Sequence, residues 1–155
     1  MPMLTSNKEF LVFSLGNDAF SIRLPRVREI VAARHVTRVP ETPPFLIGVL
    51  NLRGKIVPVV DLRRKFGFAD VQVTRDTSII IVEAEQEGES ALFGLRVDAI
   101  HSVEKKQSFS MDETPKFGLG VEESYIDGGF DLNGRYVVLL NTGCLLALEE
   151  FDAFL

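Results

Sequence analysis

Apolar residues in this chain fall into short runs of β-strand length, punctuated by glycine, proline and polar turns. Phe10–Leu15 and Ala19–Leu24 flank Gly16-Asn17-Asp18 and predict an opening hairpin. Pro25 fixes φ and interrupts the strand before Val27–Ala32 resumes it. Pro40, Pro43 and Pro44 then stiffen a connection into Phe45–Ile47, with room there for one helical turn. Val49–Leu52 and Ile56–Leu62 flank Arg53-Gly54, where a glycine supplies the permissive backbone of a two-residue turn. This predicts a hairpin with an arginine at its tip, among apolar and amide neighbours that leave its charge without a local partner. Pro58 in the second arm cannot donate to a ladder, which places that position at an edge or a bulge.

A glycine and polar residues interrupt the pattern over Phe66–Arg75, the expected boundary between two halves. Ser78–Ala84 and Leu92–Val103 open the second half, joined by the charged turn Glu85–Glu89. Gln107–Ser124 has no clear period, contains Pro115, Gly118 and Gly120, and reads as loop with at most a helical turn. Asn133-Gly134 is the strongest hairpin signal in the chain. Thr142 is the predicted cap of a C-terminal helix whose Leu145, Leu148, Phe151 and Leu155 share a face that packs on the body of the protein.

The chain also aligns with itself. At an offset of 80 positions, Phe45–Leu62 lies over Tyr125–Thr142, with Gly48 on Gly128, Leu52 on Leu132, Gly54 on Gly134 and Val57 on Val137. At an offset of 73, Phe20–Ile30 lies over Phe93–Val103, with Phe20 on Phe93, Arg23 on Arg96 and Val27 on Ile100. The blocks occur in the same order in both halves, so the chain reads as two versions of one β-module. The first version carries Arg53 where the second carries Asn133, a residue that tolerates left-handed backbone better. Either the two turns differ in type, or Arg53 is kept for something other than turn chemistry.

Composition narrows the function classes. A chain of 155 residues with 46% hydrophobic content supports one domain, or two small subdomains sharing a core. Its apolar runs are far shorter than the roughly 18 residues that span a bilayer, and no secretory signal is visible. The single cysteine, Cys144, excludes an internal disulfide and suits a reducing, cytoplasmic compartment. A net charge of −5 argues against a nucleic-acid-binding β-barrel, the alternative reading for a fold of this size. The basic clusters Arg63-Arg64-Lys65 and Lys105-Lys106 are short, and 12 phenylalanines against 2 tyrosines and no tryptophan favour core filling over base stacking.

No catalytic constellation stands out. His35 and His101 have dissimilar surroundings and no metal-ligand spacing. Cys144 lies beside leucines at a predicted helix start and reads as a buried structural thiol. No phosphate-binding glycine loop is present: Gly118-Leu119-Gly120 lacks both a third glycine and a following lysine. Glu85, Glu87 and Glu89 share a turn and read as a solvated loop. The sequence therefore points to a binding protein without cofactor or metal, and not to an enzyme.

One family resemblance bears on that reading. Thr42–Phe68 (TPPFLIGVLNLRGKIVPVVDLRRKFGF) resembles the signature of the CheW family of bacterial chemosensory adaptors. Glu9–Gly16, Pro25–Ile30, Thr37–Pro40 and Arg135–Leu146 fall in order where that family has related runs, so the similarity extends from about Phe10 to Leu146. The resemblance implies a mainly β fold of two small five-stranded barrels, SH3-like or OB-like, packed side by side around a hydrophobic junction. Their expected extents are about 10–66 and 76–142, followed by a helix over about 143–155. It further implies an adaptor linking the cytoplasmic tips of chemoreceptors (methyl-accepting chemotaxis proteins) to the regulatory domain of the histidine kinase CheA. Such an adaptor is cytoplasmic, is recruited to receptor arrays at the inner face of the membrane, and does not insert into it.

Carried over residue by residue, the partner-contacting positions fall on Val27, Glu29, Arg53 and Val103. A receptor tip is a helical hairpin, which can lay an apolar face into a groove. Val27 and Val103 are either anchors for it or ordinary core residues. Glu29 and Arg53 supply opposite charges at the rim, or pair with each other. Asn141 departs from the family at a position where aspartate is common, and Gly143-Cys144 leads less helically into the last helix.

Overall fold

Every strand predicted from the apolar runs is present in the computed structural model, which describes residues 8–33, 36–86, 88–106 and 121–146. The first half contributes β1 (Lys8–Leu15), β2 (Asp18–Arg23), β3 (Val27–Ala32), β4 (Leu46–Leu52), β5 (Lys55–Asp61) and helix α1 (Leu62–Phe66). The second contributes β6 (Ser78–Gln86), β7 (Glu89–Val97), β8 (Ala99–Lys106), β9 (Ile126–Leu132), β10 (Arg135–Leu140) and α2 (Thr142–Leu145). These form two five-stranded sheets, ordered β8-β1-β2-β10-β9 and β3-β6-β7-β5-β4.

That strand order corrects the expected partition at Phe66–Arg75. The segment separates the two repeats but not the two sheets, because each sheet takes two strands from one repeat and three from the other. The chain changes sheet between its second and third strands in both halves. In the first half the crossing is the 3₁₀ turn Leu24–Arg26, where Pro25 breaks the strand. In the second it is Asp98, which divides the expected run Leu92–Val103 into β7 and β8 of different sheets.

The register shows the repeats to be equivalent. Leu46 and Gly48 face Val60 and Val59 across a bulge, and Ile126 and Gly128 face Leu140 and Leu139 across the same irregularity. Val59 lies opposite Gly94 at one parallel seam, and Leu139 opposite Ser21 at the other. Both hairpin tips have positive φ at both turn residues, 51° and 87° at Arg53-Gly54 and 54° and 85° at Asn133-Gly134. That is the pattern of a type I′ turn in both, so the residue difference does not reflect a difference in turn type.

Three apolar clusters follow from this arrangement. Phe10, Val12, Phe130, Val137 and Leu139 fill one curled sheet, and Leu50, Val57, Val59, Ile79 and Ile81 fill the other. The largest cluster lies between them and draws Phe13, Phe20 and Leu140 from one sheet and Val60, Ile80 and Phe93 from the other. Phe66 of α1 joins it, its ring 5.7 Å from Phe20 and 6.0 Å from Tyr125.

Ion pairs fasten the crossings. Asp61 caps α1 by accepting from the Arg63 and Arg64 N–H groups, while Arg96 Nε donates to its other oxygen at 3.0 Å. Arg63 Nε and Nη2 donate to Asp98 at 2.9 and 2.7 Å, and the Gly16 N–H does so at 2.6 Å. Burial alone would raise the Asp98 carboxyl, but the Arg63 and Gly16 hydrogen bonds and the Arg63 and Arg96 charges hold it below the usual aspartate value.

Some local expectations are corrected. Phe45–Ile47 forms no helical turn; Leu46 donates to the Pro43 carbonyl and begins β4. β5 is an interior strand, yet Pro58 agrees with its expected edge position, since it pairs only with Val49 of β4 and sits one residue before the ladder with β7 begins. The cap of α2 is Asn141, whose side chain accepts from the Cys144 N–H, and not Thr142. Cys144 is exposed and not buried, because Leu145 and Leu146 take the inward positions of that short turn. The rest of the predicted C-terminal helix, most of the 107–124 loop and His35 lie outside the described residues.

Candidate functional site

Arg53 reaches the surface through a hairpin with little freedom. Leu52 and Lys55 close the β4–β5 ladder, and the Asn51 side chain accepts the Gly54 N–H at 2.9 Å, bracing the turn from below. Glu29 lies on β3, at the opposite edge of the same sheet order from β4. The two side chains meet in an ion pair, with Arg53 Nη1 3.4 Å from Glu29 Oε1 and Nη2 in hydrogen-bond contact with Oε2. The pair thus spans the two edge strands of one sheet. Arg53 is 72% exposed and Glu29 30% exposed, so the arginine keeps a broad solvent-facing surface while its carboxylate partner is half-sunk. The Glu29 hydrogen bond and charge raise the Arg53 pKa above its ordinary value.

Around this pair is a cleft of about 1090 Å³. Its wall includes Arg28, which pairs with Glu83 of β6, and Ser90 of β7, which donates to the same carboxylate. Ile56 and Pro58 of β5 supply apolar surface, and Ile56 is 63% exposed. The cleft therefore offers an apolar strip between charged groups, the composition expected where a protein partner binds. Sequence reading did not single out Arg28, Glu83 or Ile56. The available signal for Arg28 and Glu83 is a charge inside a predicted strand, whereas Ile56 is concealed at the head of an apolar run.

The four sequence-derived residues do not form one patch. Glu29 and Arg53 touch, and Val27 lies two residues from Glu29 on the same strand, half-buried against the core between the sheets. Val103 is on β8 of the other sheet, opposite Leu11, and is 52% exposed. At the 73-residue offset its counterpart is Ile30, which is 42% exposed on β3. Each sheet thus presents one exposed β-branched residue at the same repeat position on an edge strand. Among the described residues no group of three or more His, Cys, Asp or Glu side chains is arranged to hold a metal ion, and no helix is long and apolar enough to cross a membrane.

Comparison with known proteins agrees with this architecture. The model of the CheW-like domain matches residues 9–150. The chemotaxis protein CheW of Klebsiella aerogenes is 35% identical over 146 residues, which cover 94% of this chain and 86% of that protein. Its namesake in Rhizobium meliloti is 27% identical over 151 residues, covering 97% and 95%. Among solved structures, the scaffolding protein TtCheW from Thermoanaerobacter tengcongensis aligns with a TM-score of 0.80 at 31% identity, over 93% of this chain and 95% of that one. With two interlocked five-stranded sheets and a family match along almost its whole length, this chain belongs to the CheW-like domain family.

Proposed function

We propose that this protein is a non-enzymatic chemosensory adaptor that couples the cytoplasmic tips of chemoreceptors to the regulatory domain of the histidine kinase CheA. The observation that carries the reading is the CheW-like domain match over residues 9–150, supported by relatives named as chemotaxis and scaffolding proteins. The Arg53–Glu29 cleft supplies suitable chemistry. A receptor helix sets its apolar face against Ile56 and Pro58, and an acidic group on it meets the free face of Arg53. Val27, half-buried on β3 outside this cleft, is at most a separate contact. Glu29 then acts as a positioning residue, holding the guanidinium in place before the partner arrives. Val103, on the other sheet, enters as a separate apolar contact. The adaptor works in the cytoplasm at receptor arrays.

Titration of the full chain with a receptor tip fragment, with the CheA regulatory domain, and with both tests the reading. Saturable binding to each and a ternary complex are expected. Binding to neither, with tight and salt-sensitive retention of DNA or RNA instead, overturns it.

A further inference from the structure

A second cleft, of about 390 Å³, opens beside the proline-rich connection between β3 and β4. Three guanidinium groups line it, those of Arg38, Arg64 and Arg96, and no carboxylate does. None of the three lines the Arg53–Glu29 cleft. Two are set in place by the fold. Arg64 donates through Nε and Nη2 to Asp70, each at 3.1 Å, and through Nη1 to the Pro44 carbonyl at 3.2 Å. Arg96 is held through both Nε and Nη2 by Asp61 Oδ2, while Asp61 Oδ1 accepts from the backbone of α1. Arg38 is exposed and makes no hydrogen bond or ion pair within the described residues. Three cations thus face two carboxylates, one of them already shared with a helix cap. The cleft is short of negative charge.

The kind of anion follows from which donors are available. Phosphate sites draw heavily on backbone N–H groups. Here no helix N-terminus is open to the cleft, since the Arg64 N–H already goes to Asp61, and the charged donors that line it are guanidinium groups, of which the Arg38 fork is uncommitted. A planar fork matches a planar carboxylate, two bonds to two oxygens. Pro43 and Pro44 keep the wall stiff, so the ordering needed on binding is mainly that of the Arg38 side chain.

We propose that this cleft anchors a side-chain carboxylate, an Asp or Glu on an exposed segment of a partner polypeptide, received by the fork of Arg38 and flanked by Arg64 and Arg96. The cleft shares Val39, Thr42 and Leu46 with the Arg53–Glu29 cleft but uses neither Arg53 nor Glu29, so its charged groups can be tested separately from the receptor-and-kinase reading.

The test is an NMR titration of the isotope-labelled full chain that follows arginine Nε–H signals, with hexaglutamate as probe and hexalysine and inorganic phosphate as the other arms. Hexaglutamate is expected to move the Arg38 and Arg96 signals saturably, and hexalysine to move neither. Arg38→Gln should weaken hexaglutamate binding by about tenfold while melting like the parent. Arg53→Gln should leave hexaglutamate binding unchanged, which keeps failure here distinct from failure of the adaptor reading. Unsaturable shifts spread over all arginines, an undiminished affinity in Arg38→Gln, or phosphate binding as tightly as hexaglutamate would each overturn the proposal.

Discussion

Alanine at Gly48 should be among the most damaging single-methyl additions to this fold. An ideal Cβ at Gly48 would lie 2.2 Å from the Thr37 carbonyl oxygen, and 2.8 Å from both the Thr37 carbonyl carbon and Val36 Cγ1. The first two are backbone atoms, so the clash cannot be relieved by turning a side chain. Gly48 also has φ of +149°, backbone that costs an L-residue about 1–2 kcal/mol. Relief requires residues 36–37 to move away from β4. That breaks the reciprocal bonds from Thr37 N–H to the Val49 carbonyl (2.9 Å) and from Val49 N–H to the Thr37 carbonyl (2.8 Å). Two such bonds are worth about 1 kcal/mol each, so the expected loss is about 3–4 kcal/mol. For a chain of this length that corresponds to a fall in Tm of about 10 °C. Gly54→Ala is the internal control. Gly54 has φ of +87° but nothing within 4 Å of its ideal Cβ, so alanine there should cost only about 1 kcal/mol. Urea unfolding of both variants, with unchanged m-values, measures the difference. If Gly48→Ala were no less stable than Gly54→Ala, the close approach of residues 36–37 to β4 would be refuted.

Arg53→Asn copies the equivalent tip at Asn133, so it should melt no lower than the parent yet weaken receptor-fragment binding by at least about tenfold; paired melts and isothermal titration decide, and undiminished affinity would make Arg53 a turn residue only. Exchanging the charges in Glu29→Arg/Arg53→Glu should restore the internal pair and the melt lost by Arg53→Glu alone, but not binding, if the partner reads the sign of the tip; restored binding would remove that role. Asp98, whose folded-state pKa is depressed, contributes stability that is fully present above the ordinary aspartate value of 3.8 and is lost as pH falls through the lower folded value. Asp98→Asn should therefore lose stability at neutral pH and show a flatter acid limb in melts across pH; an unchanged acid limb would contradict the assignment. Asn141→Asp removes the 3.0 Å donation from Asn141 Nδ2 to Asp127 and sets two carboxylates together, so it should cost about 1 kcal/mol at neutral pH, read by urea unfolding.

Strand positions were legible because each run of β-branched and aromatic residues ends at a turn former, and the self-alignment was legible because the glycines required by bulge and turn recur at a fixed offset. Neither signal says which copy pairs with which. Register within a hairpin is set locally, but the parallel seams β5–β7 and β2–β10 join strands far apart in sequence, and a self-alignment is the same whether the copies stand apart or exchange strands. Pro25 marks one crossing in plain view. The other is hidden, because Asp98 is one of several polar residues in Leu92–Val103, beside Arg96, His101 and Ser102, and its role rests on Arg63 and Gly16, which reach it only in the folded chain. The candidate site divides the same way. Arg53 was recognisable at its hairpin tip, but its pairing with Glu29 depends on β3 and β4 being opposite edges of one sheet, a consequence of the exchange. In the second repeat Asn133 replaces the tip arginine and Ser102 occupies the position of Glu29, so the charged pair belongs to one sheet alone. Duplication supplied two equivalent surfaces, and substitution at two of their positions made only one of them charged. That asymmetry gives a partner a way to tell the two sheets apart.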